Sequence, residues 1–173
     1  GNAKFLNLPT TDPHANVRAN AARVLGATEE KAAFDKLLDL VSTDKDSRVR
    51  VSAIRALVSL KDDRAATPLF KHGKSITDQK LKPTPSEHEI LEVATALGRL
   101  LALKADPVAM DWLRQGENEL NYSAPEVELA LVRISPEQYL SSFGGDSKAA
   151  RRKLQELLIL HWQSGASVAQ ALR

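Results

Sequence analysis

A repeat of 32 residues constrains the fold of this chain more than any other feature of its sequence. When the chain is shifted by 32 residues, positions 11–42 align with positions 43–74, and nine of the aligned positions are identical. The identical positions include Val17-Arg18 with Val49-Arg50, and Ala21 with Ala53. A unit this short cannot enclose a core alone, so the units of such a chain stack side by side.

The spacing of apolar residues predicts two amphipathic helices in each unit. The first unit carries two stripes, Val17, Ala21, Val24 and Leu25, then Phe34, Leu37, Leu38 and Val41. Both stripes follow the helical period of about 3.6 residues, and no segment alternates as a strand would. The sequence therefore predicts an all-α protein with at least nine helices, an α-solenoid of about four to five stacked helical hairpins in a right-handed superhelix.

Further units follow with the same periodicity. We expect one domain over residues 1–173, with repeats near 11–42, 43–74, 86–116, 123–143 and 147–173. Residues 74–85 are expected to form an inserted loop, because two prolines there oppose a continuous helix. The incomplete last unit and the absence of an initial Met suggest a segment of a longer chain.

Capping residues predict where individual helices begin and end. Asp12 before Pro13 predicts an N-cap followed by a proline in the first turn. Gly26 is expected to end the first helix, and Gly165 the last long one, because glycine is common just beyond helix ends.

Composition excludes several classes of site. The chain has no cysteine, so it has no disulfide, thiol nucleophile or cysteine-ligated metal. Its net charge of +2 disfavours a generally basic nucleic-acid binder. No apolar run approaches the length of a membrane helix. The localisation is left open, with a cytoplasmic and an exported protein both compatible.

The strings around Val17-Arg18 and Val49-Arg50 resemble HEAT-like repeats of the phycobilisome-lyase type. That pattern has an Asp, a gap, Val-Arg, then Ala-x-x-Ala-Leu-Gly, and residues 11–74 match it well. The third repeat keeps only Ala94-Thr95-Ala96-Leu97-Gly98. The resemblance implies stacked helical hairpins that serve mostly as binding scaffolds or as accessory domains, although a few members are enzymes.

Four charged residues recur at the repeat period, namely Asp12, Arg18, Asp44 and Arg50. We interpret them as a structural ladder in which each arginine pairs with the aspartate of its own or a neighbouring repeat. Phosphate binding is the weaker alternative, because both signs of charge repeat together where the units meet.

Two short motifs of the chain resemble motifs of enzymes of this class. His88-Glu89 resembles one element of a di-iron hydroxylase, but a single pair cannot hold two irons, and we expect no metal and no cofactor. Asp111-Trp112 resembles a feature of DNA alkylpurine glycosylases, whose basic groove is not expected at this charge. We expect Trp112 to pack between helices.

The function predicted from these patterns is a non-catalytic scaffold that binds another protein or another domain of its own chain. First helices are expected on the convex face and second helices on the concave face. The predicted partner-binding residues on the second helices are Lys36, Asp39, Arg64, Lys71, Asp111 and Arg114. The main alternative is an accessory domain of a larger enzyme, such as a prolyl isomerase, a chromophore lyase or a cytochrome-type fusion. A DNA glycosylase is a remote alternative, and the oligomeric state is left open.

Overall fold

Every regular element of the protein is helical within the part that the computed structural model describes, residues 8–78, 87–102, 104, 106–119 and 125–171. Nine α-helices lie in this part: α1 (Ala15–Ala27), α2 (Phe34–Thr43), α3 (Ser47–Ser59), α4 (Ala66–Thr77), α5 (Glu87–Leu101), α6 (Pro107–Glu119), α7 (Pro125–Ile134), α8 (Pro136–Ser142) and α9 (Ser147–Ala171). Short 3-10 turns at Lys31–Ala33 and Asp63–Ala65 precede α2 and α4. The all-α solenoid predicted from the repeat is confirmed.

The odd-numbered helices form one layer. Helices α1, α3, α5, α7 and α9 pack in that order, and α2, α4 and α6 pack against the next odd-numbered helix. One core cluster of mostly Ala, Leu and Val side chains extends from Ala22 in α1 to Ala130 in α7. None of the described helices has the length and apolar character needed to cross a membrane.

Small residues set how closely neighbouring odd-numbered helices approach. A Cβ on Gly26 would lie 2.7 Å from the Cα of Ala56, and one on Gly98 would lie 2.6 Å from the Cα of Ala130. The equivalent position in α3 is Val58, and α3 packs less extensively against α5 than against α1. The prediction that Gly26 ends α1 is wrong, because this glycine lies inside the last turn and allows close contact with α3.

The turn between α1 and α2 has the same backbone conformation as the turn between α3 and α4. Glu29 and Lys61, which are 32 residues apart, both adopt left-handed backbone conformations with φ of 52° and 51°. This conformation is uncommon for residues with a Cβ, so its recurrence shows that the hairpin geometry itself is repeated.

Three further predicted boundaries differ from the structure. The N-cap of α1 is His14, and Asp12 accepts a hydrogen bond from the His14 N–H at 2.8 Å. Helix α4 extends to Thr77 into the predicted loop, and residues 79–85 of that loop lie outside the described residues. Gly165 lies inside α9, because one glycine costs a helix only about 1 kcal/mol.

Candidate functional site

The first step of the arginine ladder joins α1 to the start of the second repeat. Arg18 Nε and Nη2 donate to the two carboxylate oxygens of Asp44 at 2.7 and 2.9 Å. Arg18 Nη1 donates to the backbone oxygen of Asp12 at 2.8 Å. The guanidinium therefore ties its own repeat to the carboxylate of the next repeat, with both side chains buried.

The second step uses the same arginine geometry with a different acid. Arg50 Nη1 donates to the backbone oxygen of Asp44 at 2.8 Å, the counterpart of the Arg18 contact with Asp12. Its Nε and Nη2, however, donate to Glu89 in α5 at 2.7 and 2.8 Å. The expectation that Asp44 or Asp12 supplies the carboxylate for Arg50 is wrong, because the Asp44 carboxylate is already bound by Arg18.

His72 completes a buried cluster around Glu89. Its Nε2 lies 2.7 Å from Glu89 Oε1 and donates to it, since an ionised carboxylate only accepts. The side chains of Arg50, Glu89 and His72 are 1%, 0% and 6% exposed. The burial of His72 and Glu89 against each other was not predicted from the sequence.

The electrostatics of the ladder follow from this pairing. Burial alone would raise the pKa of Glu89, but the hydrogen bonds from Arg50 and His72 hold it below its usual value. The pKa of Asp44 is likewise lowered against the effect of burial by Arg18 and by the Asp46 N–H. Because these carboxylates are buried and fully hydrogen-bonded, solutes cannot reach them, and their role is to join neighbouring repeats.

Metal ligation finds no support in the part of the chain described. No cluster of three or more His, Asp or Glu side chains there could hold an ion. His88 is exposed, while its neighbour Glu89 is engaged by Arg50 and His72.

The six predicted partner-binding residues all lie on second helices or the turn before one. Lys36 and Asp39 are on α2, Arg64 is in the turn before α4, Lys71 is on α4, and Asp111 and Arg114 are on α6. Four of them are exposed, while Lys36 and Arg114 are half-buried.

Contacts between successive second helices make them one row. The guanidinium of Arg64 lies 4.6 Å from the ring centre of Phe34 in α2. The rings of Phe70 in α4 and Trp112 in α6 meet edge to face at 5.9 Å. Arg114 Nη2 in α6 donates to Gln138 in α8 at 2.9 Å. We call α2, α4, α6 and α8 with these contacts the second-helix row.

Several charges of the row are already paired, which the sequence did not reveal. Arg64 binds Asp62 at 2.6 Å, and Arg114 binds Asp111 at 3.0 Å. The exposed side chains of Asp39 and Lys71 make no ion pair with any described residue. Of the six predicted residues, these two therefore carry exposed charges that no described residue neutralises.

Two surface grooves are candidate binding sites. One, of about 360 Å³, lies among α6, α7 and α8, with Arg114 at its edge. Its lining residues are Met110, Arg114, Glu128, Leu131, Ser135, Gln138, Tyr139, Ser142 and Phe143. The other, of about 490 Å³, lies between α1 and α3 on the first helices. The groove among α6, α7 and α8 was not predicted from the sequence. Tyr139 and Phe143, one helical turn apart, were the only sequence feature that could have indicated it.

Comparison with protein families identifies the repeat. Residues 2–83 match the family model described as HEAT repeats, so this part of the chain is an array of HEAT repeats. The match does not single out the phycobilisome-lyase type within that class. No curated protein and no solved structure matches the chain significantly.

Proposed function

We propose that this HEAT-repeat chain is a non-catalytic scaffold that binds another protein along the second-helix row. HEAT repeats generally mediate protein interactions. The observation that carries the choice of face is the continuity of the row. Through named side chains, α2 contacts the turn before α4, α4 contacts α6, and α6 contacts α8. Because α2, α4 and α6 also pack against the odd-numbered layer, the row presents its exposed side chains on a preformed surface, which limits the entropy lost on binding.

The chemistry of the row favours a protein over a polyanion. Its exposed groups carry both signs, with Asp39 negative and Lys71 positive. The groove among α6, α7 and α8 combines an apolar floor from Met110, Leu131 and Phe143 with polar edges. An apolar side chain of the partner is proposed to enter this groove while polar groups pair around it, as at typical protein interfaces.

Photo-crosslinking tests the proposal directly. A photoreactive amino acid replaces Asp39 or Lys71 on the row, and matched proteins carry it at Arg99 or Arg133, exposed residues of α5 and α7. Irradiation in the native host should give partner adducts from positions 39 and 71 and none from positions 99 and 133. Adducts from all four positions alike, or from the first helices alone, would contradict the proposed face.

The same experiment addresses the accessory-domain alternative. If the row binds another domain of its own polypeptide, the adduct from position 71 is intramolecular and its peptide maps to the same gene. An intermolecular adduct identifies a separate partner.

A DNA glycosylase receives little support from the described residues. Trp112 is half-buried against Phe70 and Gly73, so its ring is not open for stacking on a flipped base. Binding to duplex DNA at low salt, with a steep loss on adding salt, would favour that alternative.

A further inference from the structure

Helix α9 presents a two-part surface that differs from the second-helix row. Its inner side packs against α7 and α8, with Ala150 and Leu157 buried. The opposite side carries Lys148, Arg152, Gln155 and Ile159, spaced so that they follow one line along the helix. Arg151 and Leu158 lie beside that line. We call these six exposed residues the α9 stripe.

The first half of the stripe is basic. Lys148, Arg151 and Arg152 are exposed, line one shallow groove of about 360 Å³, and make no ion pair with any described residue. Arginines elsewhere in the described chain mostly have carboxylate partners, as at Arg18, Arg48, Arg50, Arg55, Arg64 and Arg114. Asp146, two residues before Lys148, accepts from the backbone N–H groups of Lys148 and Ala149. Glu156, one turn beyond Arg152, is exposed and forms no ion pair with it.

The second half of the stripe is apolar. Leu158 and Ile159 are 49% and 57% exposed, well above the core residues of the same helix. Seven residues separate Arg152 from Ile159, a distance of about 10 Å along the helix axis. The stripe therefore changes from cationic to apolar over about two helical turns.

We propose that the α9 stripe is a second docking surface, which binds an acidic amphipathic segment of a protein partner. Carboxylates of that segment pair with Lys148, Arg151 and Arg152, and apolar side chains about two turns away cover Leu158 and Ile159. Charge complementarity selects the partner and its direction, while the apolar contact supplies the buried area.

A membrane surface fits this stripe less well. Helices that lie in a bilayer interface carry cations on a polar face along their whole length. Here the cations occupy one end, and the exposed carboxylate of Glu156 lies beside Ile159 and Leu160. Inserting this apolar half into lipid would also remove Glu156 from water, which is unfavourable.

The test uses a synthetic helical peptide with a glutamate cluster two turns from a pair of leucines. Fluorescence anisotropy with the 173-residue chain should show saturable binding, and a scrambled peptide of the same composition should bind at least about ten-fold more weakly. Vesicles made from equal amounts of phosphatidylcholine and phosphatidylserine are titrated in parallel.

Three variants assign the binding to the stripe. Lys148→Glu/Arg152→Glu should weaken peptide binding by about ten-fold or more, and Leu158→Ser/Ile159→Ser by about three- to ten-fold. Arg99→Glu/Arg133→Glu makes the same charge change on α5 and α7 and should leave the affinity within about two-fold of the original. All the altered residues are exposed, so unchanged thermal midpoints are expected and confirm folding.

Other outcomes overturn the proposal. If the scrambled peptide binds as tightly as the designed one, or if Arg99→Glu/Arg133→Glu weakens binding as much as Lys148→Glu/Arg152→Glu, binding depends on net charge and not on the α9 stripe. Binding to the vesicles without binding to the peptide would assign the stripe to a membrane surface. Because none of these residues belongs to the second-helix row, failure here leaves the function proposed for the row unaffected.

Discussion

The junction between α1 and α3 and the junction between α3 and α5 use the same arginine in different surroundings. At the first junction Arg18 meets Asp44, and Gly26 allows close contact with Ala56. At the second junction Arg50 meets Glu89, His72 joins the cluster, and Val58 replaces the glycine. The first junction thus depends on close packing beside an ion pair, and the second depends more heavily on buried charge.

The comparison predicts that losing Arg50 has the largest effect on stability. Arg50→Ala leaves Glu89 fully buried without its main counter-ion, so the free energy of unfolding should fall by about 3–5 kcal/mol. Each carboxylate keeps one hydrogen bond, Glu89 from His72 and Asp44 from the Asp46 N–H. Arg18→Ala should nevertheless cost less, about 1–3 kcal/mol, because Asp44 is 5% exposed and Glu89 is fully buried. Urea unfolding at neutral pH measures both values.

Arg55→Ala is the matched control for Arg50. Arg55 pairs with Glu92 between the same two helices, but its side chain is 67% exposed. Exposed pairs contribute little, so this variant should lose less than about 1 kcal/mol. Equal midpoints for the Arg50 and Arg55 variants would contradict the structural role of the ladder.

The next prediction concerns the close packing of the first junction. Gly26→Ala places a methyl group 2.7 Å from Ala56 Cα and should destabilise the protein by about 1–3 kcal/mol. Val58→Ala, at the equivalent position of the next repeat, introduces no clash and removes only half-buried methyl groups. Thermal unfolding compares the two variants.

A double-mutant cycle separates crowding from helix propensity at this contact. Ala56→Gly alone should weaken α3. Combined with Gly26→Ala, it removes the 2.7 Å contact of the new methyl group with Ala56 Cβ but keeps the contact with Ala56 Cα, so it relieves part of the crowding. The two changes should therefore couple favourably by about 1 kcal/mol. Strict additivity would show that the Ala56 methyl group takes no part in the crowding at this contact.

A smaller effect is expected from the group found only at the second junction. His72→Gln keeps a side-chain donor near Glu89 and should cost about 1 kcal/mol or less, whereas His72→Ala should cost about 1–3 kcal/mol. Unfolding in urea measures the difference between the two variants. Equal losses would indicate that His72 contributes volume rather than the hydrogen bond to Glu89.

Part of the fold and of the arginine ladder could be predicted from the sequence. The stripes through Leu25 and Leu37 predicted the helices, because burial of one face imposes a helical period even where individual residues change. The recurrence of Arg18 and Arg50 predicted the donors of the ladder. The partner of Arg50 was missed because Glu89 lies beyond an insertion that breaks the 32-residue register.

The candidate binding residues were limited in another way. Periodicity placed Arg64 and Arg114 on the second helices, but it carries no information on contacts between side chains. The pairing of Arg64 with Asp62, and the groove beside Arg114, depend on packing among elements far apart in sequence.

The smallest expected effect is a difference in how the two junctions respond to acid. Glu89 and Asp44 have folded-state pKa values below their ordinary values. A carboxylate of this kind stabilises the fold above its unfolded pKa of about 4, and that stabilisation is lost as the pH falls through the folded pKa. The urea midpoint should therefore be steady between about pH 7 and 5 and fall below about pH 4.

Replacing each buried carboxylate by its uncharged amide shows how much of the acid sensitivity comes from each junction. Glu89→Gln and Asp44→Asn should each be less stable at neutral pH and lose less stability on acidification, because one titrating carboxylate is gone. Asp46→Asn provides the comparison at the surface, where Arg48 lowers the pKa of Asp46 to about 2 but is itself 65% exposed. Solvent screens the pair of Asp46 with Arg48, so Asp46→Asn should change the urea midpoint at neutral pH less than Glu89→Gln or Asp44→Asn does. An acid response in Glu89→Gln and Asp44→Asn as steep as in the unaltered chain would show that the two buried pairs do not control acid unfolding.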